Sequence, residues 1–253
     1  MTGILPGSPC WTQLSTTEPE AAKQFYGELF GWTAETDPDP QYGGYTVFSL
    51  AGAPAAAVAP LMNPQQPVQW QLSFAVTDTD ATAEAAKQAG AQLWMGPMDV
   101  GGLGRWALLS DPTGAPFTLW QAREFSGFGV VGEPNAFGWI DLATRDLEAA
   151  LAFYQAVFDW RVWPHPDYPM VGMADKMFGG MMEMGDAFPP GVPSHWTPYF
   201  WVADVDAAVN AAVKLGGEPA YGPADVEMEN GPRIAVVKDP QGASFGLFTP
   251  RAG

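Results

Sequence analysis

The sequence predicts an α+β protein of two tandem domains. Each domain is expected to hold a pair of strand–helix–three-strand (βαβββ) modules, curved into a mixed sheet with its helices outside. Three observations carry this reading. Residues Trp11 to Trp32 align with Trp139 to Trp160 at an offset of 128, with ten identities in 22 positions, among them Trp11/Trp139, Phe25/Phe153, Tyr26/Tyr154 and Trp32/Trp160. Background residue frequencies give roughly one or two such matches. Further matches follow in order: Phe74-Ala75-Val76-Thr77-Asp78 answers Phe200-Trp201-Val202-Ala203-Asp204, Gly96-Pro97 answers Gly222-Pro223, and Asp111-Pro112-Thr113-Gly114 answers Asp239-Pro240-Gln241-Gly242. The hydrophobic period also alternates between strand and helix in the same order within each copy. A unit of about 120 residues is too long for a solenoid repeat and right for a domain. The boundaries read as 1–121 for the first domain, 122–134 for a Gly-rich linker and 135–253 for the second.

Within a copy, Trp11 to Thr16 and Trp139 to Thr144 alternate like strands. Pro19 suits the first turn of a helix and Asp146 suits an N-cap at the matching site. Ala21, Ala22, Phe25, Tyr26, Leu29 and Phe30 make one apolar stripe at helical spacing, which Gly31 ends. Strand-like runs follow at Tyr45 to Leu50 and Ala55 to Ala59. A strand at Gln71 to Val76, a helix from Asp80 to Ala89, and strands at Trp106 to Ser110 and Pro116 to Gln121 repeat the order. The third strand of each module is faint. Asp111-Pro112-Thr113-Gly114 places Pro and Gly where a tight turn wants them, so the last two strands form a hairpin.

Composition narrows the function. The 253 residues are 47% hydrophobic, ample for a packed core, and carry 28 acidic against 11 basic side chains, a net charge of −17. That balance argues against a nucleic-acid partner, which needs clustered Lys and Arg. The single cysteine, Cys10, excludes an internal disulfide and a Cys-rich zinc site. No apolar run approaches 18 residues, so no membrane partner is expected. The first ten residues lack a basic patch followed by an apolar run, so the expected location is cytoplasmic.

The paired Phe25-Tyr26 and Phe153-Tyr154, the Phe-x-Val-x-Asp segment before the second helix and the Asp-Pro-x-Gly hairpin, each in order and twice, resemble the vicinal oxygen chelate superfamily. That superfamily includes glyoxalase I, extradiol dioxygenases and bleomycin-binding proteins. The resemblance is greatest to two-domain, glyoxalase/bleomycin-resistance-like members. It implies a cup inside each curved sheet, where metal-binding members take ligands from the first strand of each module and the last strand. Those positions fall on Trp11, Gln71 and Thr118 in the first copy, and on Trp139, Thr197 and Gly246 in the second. No family ligand survives, so no metal and no cofactor are expected.

Strand parity says what lines the cups instead. Trp11, Gln13, Gln71, Ser73, Thr118 and Trp120 share the first, and Trp139, Asp141, Thr197, Tyr199, Trp201 and Phe248 the second. Large rings with a few hydrogen-bonding groups suit a flat, mostly apolar molecule. The leading expectation is therefore a metal-free binder of an apolar or aromatic natural product or drug, with Trp11, Gln13, Gln71, Trp120, Trp139, Thr197, Trp201 and Phe248 as ligand contacts. The alternative is a metal-independent isomerase, lyase, cyclase or ring-opening enzyme. In it Asp141 and His195 pair as a proton-transfer dyad and Tyr199 donates to an oxyanion. A third reading has both cups filled as core, leaving an interaction module. Arg105 and Arg233 match across copies and suit structural pairing with carboxylates. His165 suits an exposed turn, the methionines around Glu183 adaptable core or a pocket wall, and Gly101-Gly102-Leu103-Gly104 a flexible hairpin or lid edge; the resemblance places Glu183 near the strand carboxylate of glyoxalase I. The partner expected is a small molecule; the oligomeric state is open.

Overall fold

The computed structural model describes residues 4–186, 188–228 and 231–251. The first half runs β1 (Pro9–Thr16), α1 (Pro19–Phe30), β2 (Thr33–Thr36), β3 (Thr46–Leu50), β4 (Ala53–Pro60), β5 (Gln69–Ala75), α2 (Thr79–Gln88), β6 (Gln92–Val100), β7 (Gly104–Ser110) and β8 (Pro116–Ala122). The second repeats it as β9 (Phe137–Thr144), α3 (Leu147–Phe158), β10 (Arg161–Trp163), β11 (Met170–Met173), β12 (Lys176–Glu183), β13 (His195–Trp201), α4 (Val205–Lys214), β14 (Glu218–Asp225), β15 (Arg233–Lys238) and β16 (Ser244–Thr249). Each half is one eight-stranded mixed sheet, in the orders β2-β3-β4-β1-β5-β8-β7-β6 and β10-β11-β12-β9-β13-β16-β15-β14. This is the tandem α+β architecture that the duplication implies.

Local chemistry explains the element ends. Pro19 opens α1, and Gly31 closes it at φ 70°, a left-handed conformation that costs glycine little. Asp78, Asp146 and Asp204 cap α2, α3 and α4, accepting from the backbone N–H of Ala81, Ala149 and Ala207. Each such cap is worth about 1 kcal/mol. The faint strands β2, β6, β10 and β14 are sheet edges, which explains their weak apolar signal. In the hairpin turns, Asp111 Oδ1 accepts from the N–H groups of Thr113 and Ala115, and Asp239 Oδ1 from those of Gln241 and Ala243.

The two sheets pack back to back. In the centre, β5 and β13 turn Trp70 and Phe74, and Trp196 and Phe200, away from their cups and towards each other: Trp70 meets Phe200 at 5.4 Å and Phe74 meets Trp196 at 5.8 Å between ring centroids. Helix α1 serves both halves. Its Phe30 lies 5.1 Å from Phe200, and its Tyr26 5.5 Å from Phe245 of β16.

A polar clamp runs through this aromatic core on each side. Trp70 Nε1 donates to the Tyr26 hydroxyl, which donates to Asp239 Oδ2 of the other half. Its counterpart is Trp196 Nε1 to the Tyr154 hydroxyl to Asp111 Oδ2. Both tyrosines are fully buried. The Asp-Pro-x-Gly turn thus shapes a hairpin and receives the first helix of the other half. Removing either hydroxyl leaves a buried indole N–H and a buried carboxylate oxygen without a partner. Tyr26→Phe and Tyr154→Phe are each expected to cost about 1–3 kcal/mol in urea unfolding; wild-type midpoints in both variants would contradict the clamp.

Candidate functional site

Register places the predicted cup residues on common faces. In the first sheet Trp11 sits opposite Ser73, Gln13 opposite Gln71, and Ser73 beside Thr118. In the second Trp139 sits opposite Tyr199, Asp141 opposite Thr197, and Tyr199 beside Gly246. The two cups are filled differently.

The first cup is closed by its own chain. The segment between β8 and β9, read in sequence as a Gly-rich linker, is pinned across it. The N–H groups of Arg123 and Phe125 donate to the Leu103 carbonyl, that of Phe128 to Cys10, and that of Gly129 to Pro54. The Phe125 ring meets Trp11 edge-on at 4.9 Å and Trp120 at 6.2 Å, and the Phe125 carbonyl accepts from Trp120 Nε1. Phe128 packs on Trp11 and stacks on Phe137 at 4.5 Å. Trp11, Gln71, Ser73 and Thr118 are buried, Ser73 and Thr118 sharing a 2.6 Å hydroxyl–hydroxyl bond. Gly127 makes the crossing possible: a Cβ there would stand 2.1 Å from the Cys10 carbonyl oxygen. Trp11 and Trp120 thus meet Phe125 where a ligand ring was expected.

Among the described residues no such strap crosses the second cup, and its floor is different. Asp141 is buried at its centre and accepts from Trp139 Nε1 at 3.0 Å and from the hydroxyls of Tyr168 and Tyr199. Trp139 Nε1 also reaches the Tyr168 hydroxyl at 2.8 Å. Trp139, Tyr168, Trp201 and Phe248 remain half-buried. Glycine makes room for both phenols: a Cβ on Gly180 would lie 2.0 Å from the Tyr168 ring, and one on Gly246 2.1 Å from the Tyr199 ring.

The predicted Asp141–His195 dyad does not form. Asp141 faces Thr197, while His195 faces Ala143, two cross-strand pairs further along. His195 Nδ1 turns back to the Pro193 carbonyl at 2.9 Å, and its ring packs edge-on to Phe188. Asp141 turns instead to its aromatic donors, and no ion pair to it is found among the described residues. Tyr199 is at Asp141, as its parity implied. Tyr168 was missed, although Tyr45 is its equivalent in the first cup, accepting from Trp11 Nε1 at 2.8 Å. The Trp-to-Tyr interval is 34 residues in one copy and 29 in the other, and that length change hid the match.

The remaining candidates settle elsewhere. Arg105 forms a two-point pair with Asp80 and a contact to Asp99, and Arg233 repeats this with Asp206 and Asp225. His165 and Glu183 are exposed, and Cys10 is buried with its thiol pKa pushed up by desolvation. Among the described residues no three His, Cys, Asp or Glu side chains converge to hold a metal ion. None of the helices there is long and apolar enough to cross a membrane.

A model of the glyoxalase-like domain matches residues 11–120 and again 139–248. The chain belongs to the glyoxalase-like domain family of the vicinal oxygen chelate superfamily. It is 38% identical to the anthracycline biosynthesis protein DnrV of Streptomyces peucetius, over 100% of this chain and 97% of that one. It is also 38% identical to CFP32 of Mycobacterium tuberculosis (strain CDC 1551 / Oshkosh), whose name carries a provisional glyoxylase assignment, over 96% and 95%. Among solved structures, the Mn(II)-bound glyoxalase of Novosphingobium aromaticivorans shares the fold at TM-score 0.69 and 13% identity, over 96% of this chain and 82% of that one. The 2,3-dioxygenase LapB of Pseudomonas sp. KL28 does so at 0.68 and 15%, over 100% and 94%.

Within this family member Asp141 is the side chain whose protonation is set by the cup. Burial pushes its carboxyl up to about 6, against the opposing pull of hydrogen bonds from Tyr168, Tyr199 and Trp139. Burial, reinforced by the carboxylate charge, raises both phenols and keeps them protonated donors. Because the folded value lies above the unfolded one, this group stabilises the fold fully below about pH 4 and loses that contribution as pH rises through about 6. Carbon-13 NMR of the Asp141 carboxyl should show a midpoint near 6, and Asp141→Asn should flatten the pH dependence of stability between 4 and 6. A midpoint near 4 would contradict the burial argument.

Proposed function

We propose that this protein binds a flat aromatic small molecule in the second cup and does so without a metal. One observation carries the reading: of two homologous cups, the first is plugged by Phe125, while the second keeps half-buried rings above a buried carboxylate. The relatives named for anthracycline biosynthesis, DnrV and DauV, support the aromatic ligand class, since anthracyclines are polycyclic aromatics. The donor set supports the metal-free reading. At the ligand positions implied by the family stand an indole (Trp139), a hydroxyl (Thr197) and no side chain at all (Gly246), and the nearby Asp141 already accepts from three donors. A divalent ion wants imidazole nitrogens or several carboxylate oxygens. The filled-cup alternative fits the first half alone.

A second reading, metal-independent proton transfer, is favoured by the setting of Asp141 near neutrality between two phenols. In it Asp141 takes a proton from a bound carbon or oxygen acid, and Tyr168, rather than His195, holds the carboxylate in place. Tyr199 is positioned to donate to the oxygen that gains charge.

Titration of metal-depleted protein with 1-hydroxyanthraquinone, followed by quenching of intrinsic Trp fluorescence, tests the first reading. Saturable binding is expected, weakened about tenfold or more by Trp201→Ala and little changed by Phe125→Ala. Binding that appears only after a metal is restored, or that Trp201→Ala leaves intact, would overturn it.

A further inference from the structure

We propose that the second cup selects aromatic ligands that carry a positive charge and rejects aromatic anions. The inference rests on the reading above, that this cup takes a flat aromatic molecule, and adds the charge of the ligand. It follows from what surrounds Asp141 and from what does not.

Asp141 is a buried carboxylate whose partners are all neutral: one indole N–H and two phenol hydroxyls. Buried carboxylates usually meet a cation. Among the described residues none pairs with Asp141. The second half carries four arginines and three lysines. Arg145 is committed to the carbonyls of Pro189 and Val192, Arg161 to Asp175 and the face of Trp163, and Arg233 and Arg251 to Asp225. Lys176 and Lys238 are exposed at strand ends, and Lys214 lies in the last turn of α4.

The groups facing Asp141 are equally lacking in positive charge. From β13 come Thr197, Tyr199 and, further along, His195, which is bonded to the Pro193 carbonyl; β12 offers Gly180 and Met182; the loop before β11 offers Tyr168. Tyr221 of β14 adds another phenol near Tyr199. The aromatic side chains of Trp139, Tyr168 and Tyr199 donate to the carboxylate, and those of Trp201 and Phe248 are paired elsewhere in the same sheet. Ring faces attract a cation, more so where water is excluded. Carboxylate and ring faces therefore create a field of one sign, and a ligand ammonium supplies the counter-charge the chain withholds. A ligand carboxylate would stand beside Asp141 with no cation to offset it.

The first cup provides the internal contrast. It holds Gln13 where the second holds Asp141, and its buried floor is an uncharged hydroxyl pair, so the charge-selecting element belongs to one copy.

Calorimetric titration at pH 7.5 with three probes of one shape tests the proposal: 1-naphthylmethylamine, 1-naphthalenemethanol and 1-naphthoate. The amine is expected to bind about tenfold or more tightly than the alcohol, with the naphthoate weakest. Asp141→Asn should bring the amine to the level of the alcohol, and a cooperative urea unfolding transition shows that the variant is folded. Naphthoate binding as tightly as the amine, or an amine preference that survives Asp141→Asn, would overturn the proposal. Equal binding of all three would overturn charge selection and leave the aromatic cup standing, whereas no binding of any would overturn both.

Discussion

The back-to-back packing of the two sheets is the constraint on which the rest of the molecule depends. Each sheet has a convex face rich in aromatic side chains and a concave face that forms a cup. Because Trp70 and Phe74 meet Phe200 and Trp196 across the middle, the convex faces are consumed by each other. Helices α1 and α3 complete the burial, and their tyrosines reach Asp239 and Asp111 of the opposite half. Rings supply the apolar driving force, and the Trp–Tyr–Asp chains fix the orientation, since a buried donor or acceptor left unpaired is costly. With both convex faces committed, only the cups remain free to diverge.

They diverge in a correlated way. At equivalent register positions the first cup holds Gln13, Ala57, Ser73 and Thr118, and the second Asp141, Gly180, Tyr199 and Gly246. The changes are linked by space. Tyr199 needs the volume that a side chain at 246 would take, and Tyr168 needs that at 180. In return the two phenols donate to the carboxylate that stands where the first cup has an amide. In the first cup small hydroxyl residues pair with each other, and the space above them is taken by Phe125. One copy has become a packed scaffold that receives the interdomain strap, and the other keeps an ionisable floor under half-buried rings.

Much of the fold was legible because duplication doubles every signal. Proline at the start of α1, the Asp146 cap of α3 and the Asp-Pro-x-Gly turns act locally, so they read correctly from sequence. Strand parity also placed Trp139, Asp141, Thr197 and Tyr199 on one face. What failed depended on distance along the chain. The stretch 122–134 reads as a Gly-rich linker, and its course over the first cup was not legible because the groups that pin its backbone, at Leu103, Cys10 and Pro54, lie far away in sequence. His195 has the right parity and the wrong partner, because a neighbouring carbonyl takes its ring nitrogen. Tyr168 lies in a loop, where neither parity nor periodicity gives a direction.

Fluorine NMR can read the proposed division of labour between the two cups residue by residue. In protein labelled with 5-fluorotryptophan and assigned by single Trp→Phe variants, saturating 1-hydroxyanthraquinone is predicted to shift Trp139 and Trp201. It should leave Trp11 and Trp120, which Phe125 covers, unmoved. Shifts confined to Trp11 and Trp120, or equal in both cups, would contradict the account.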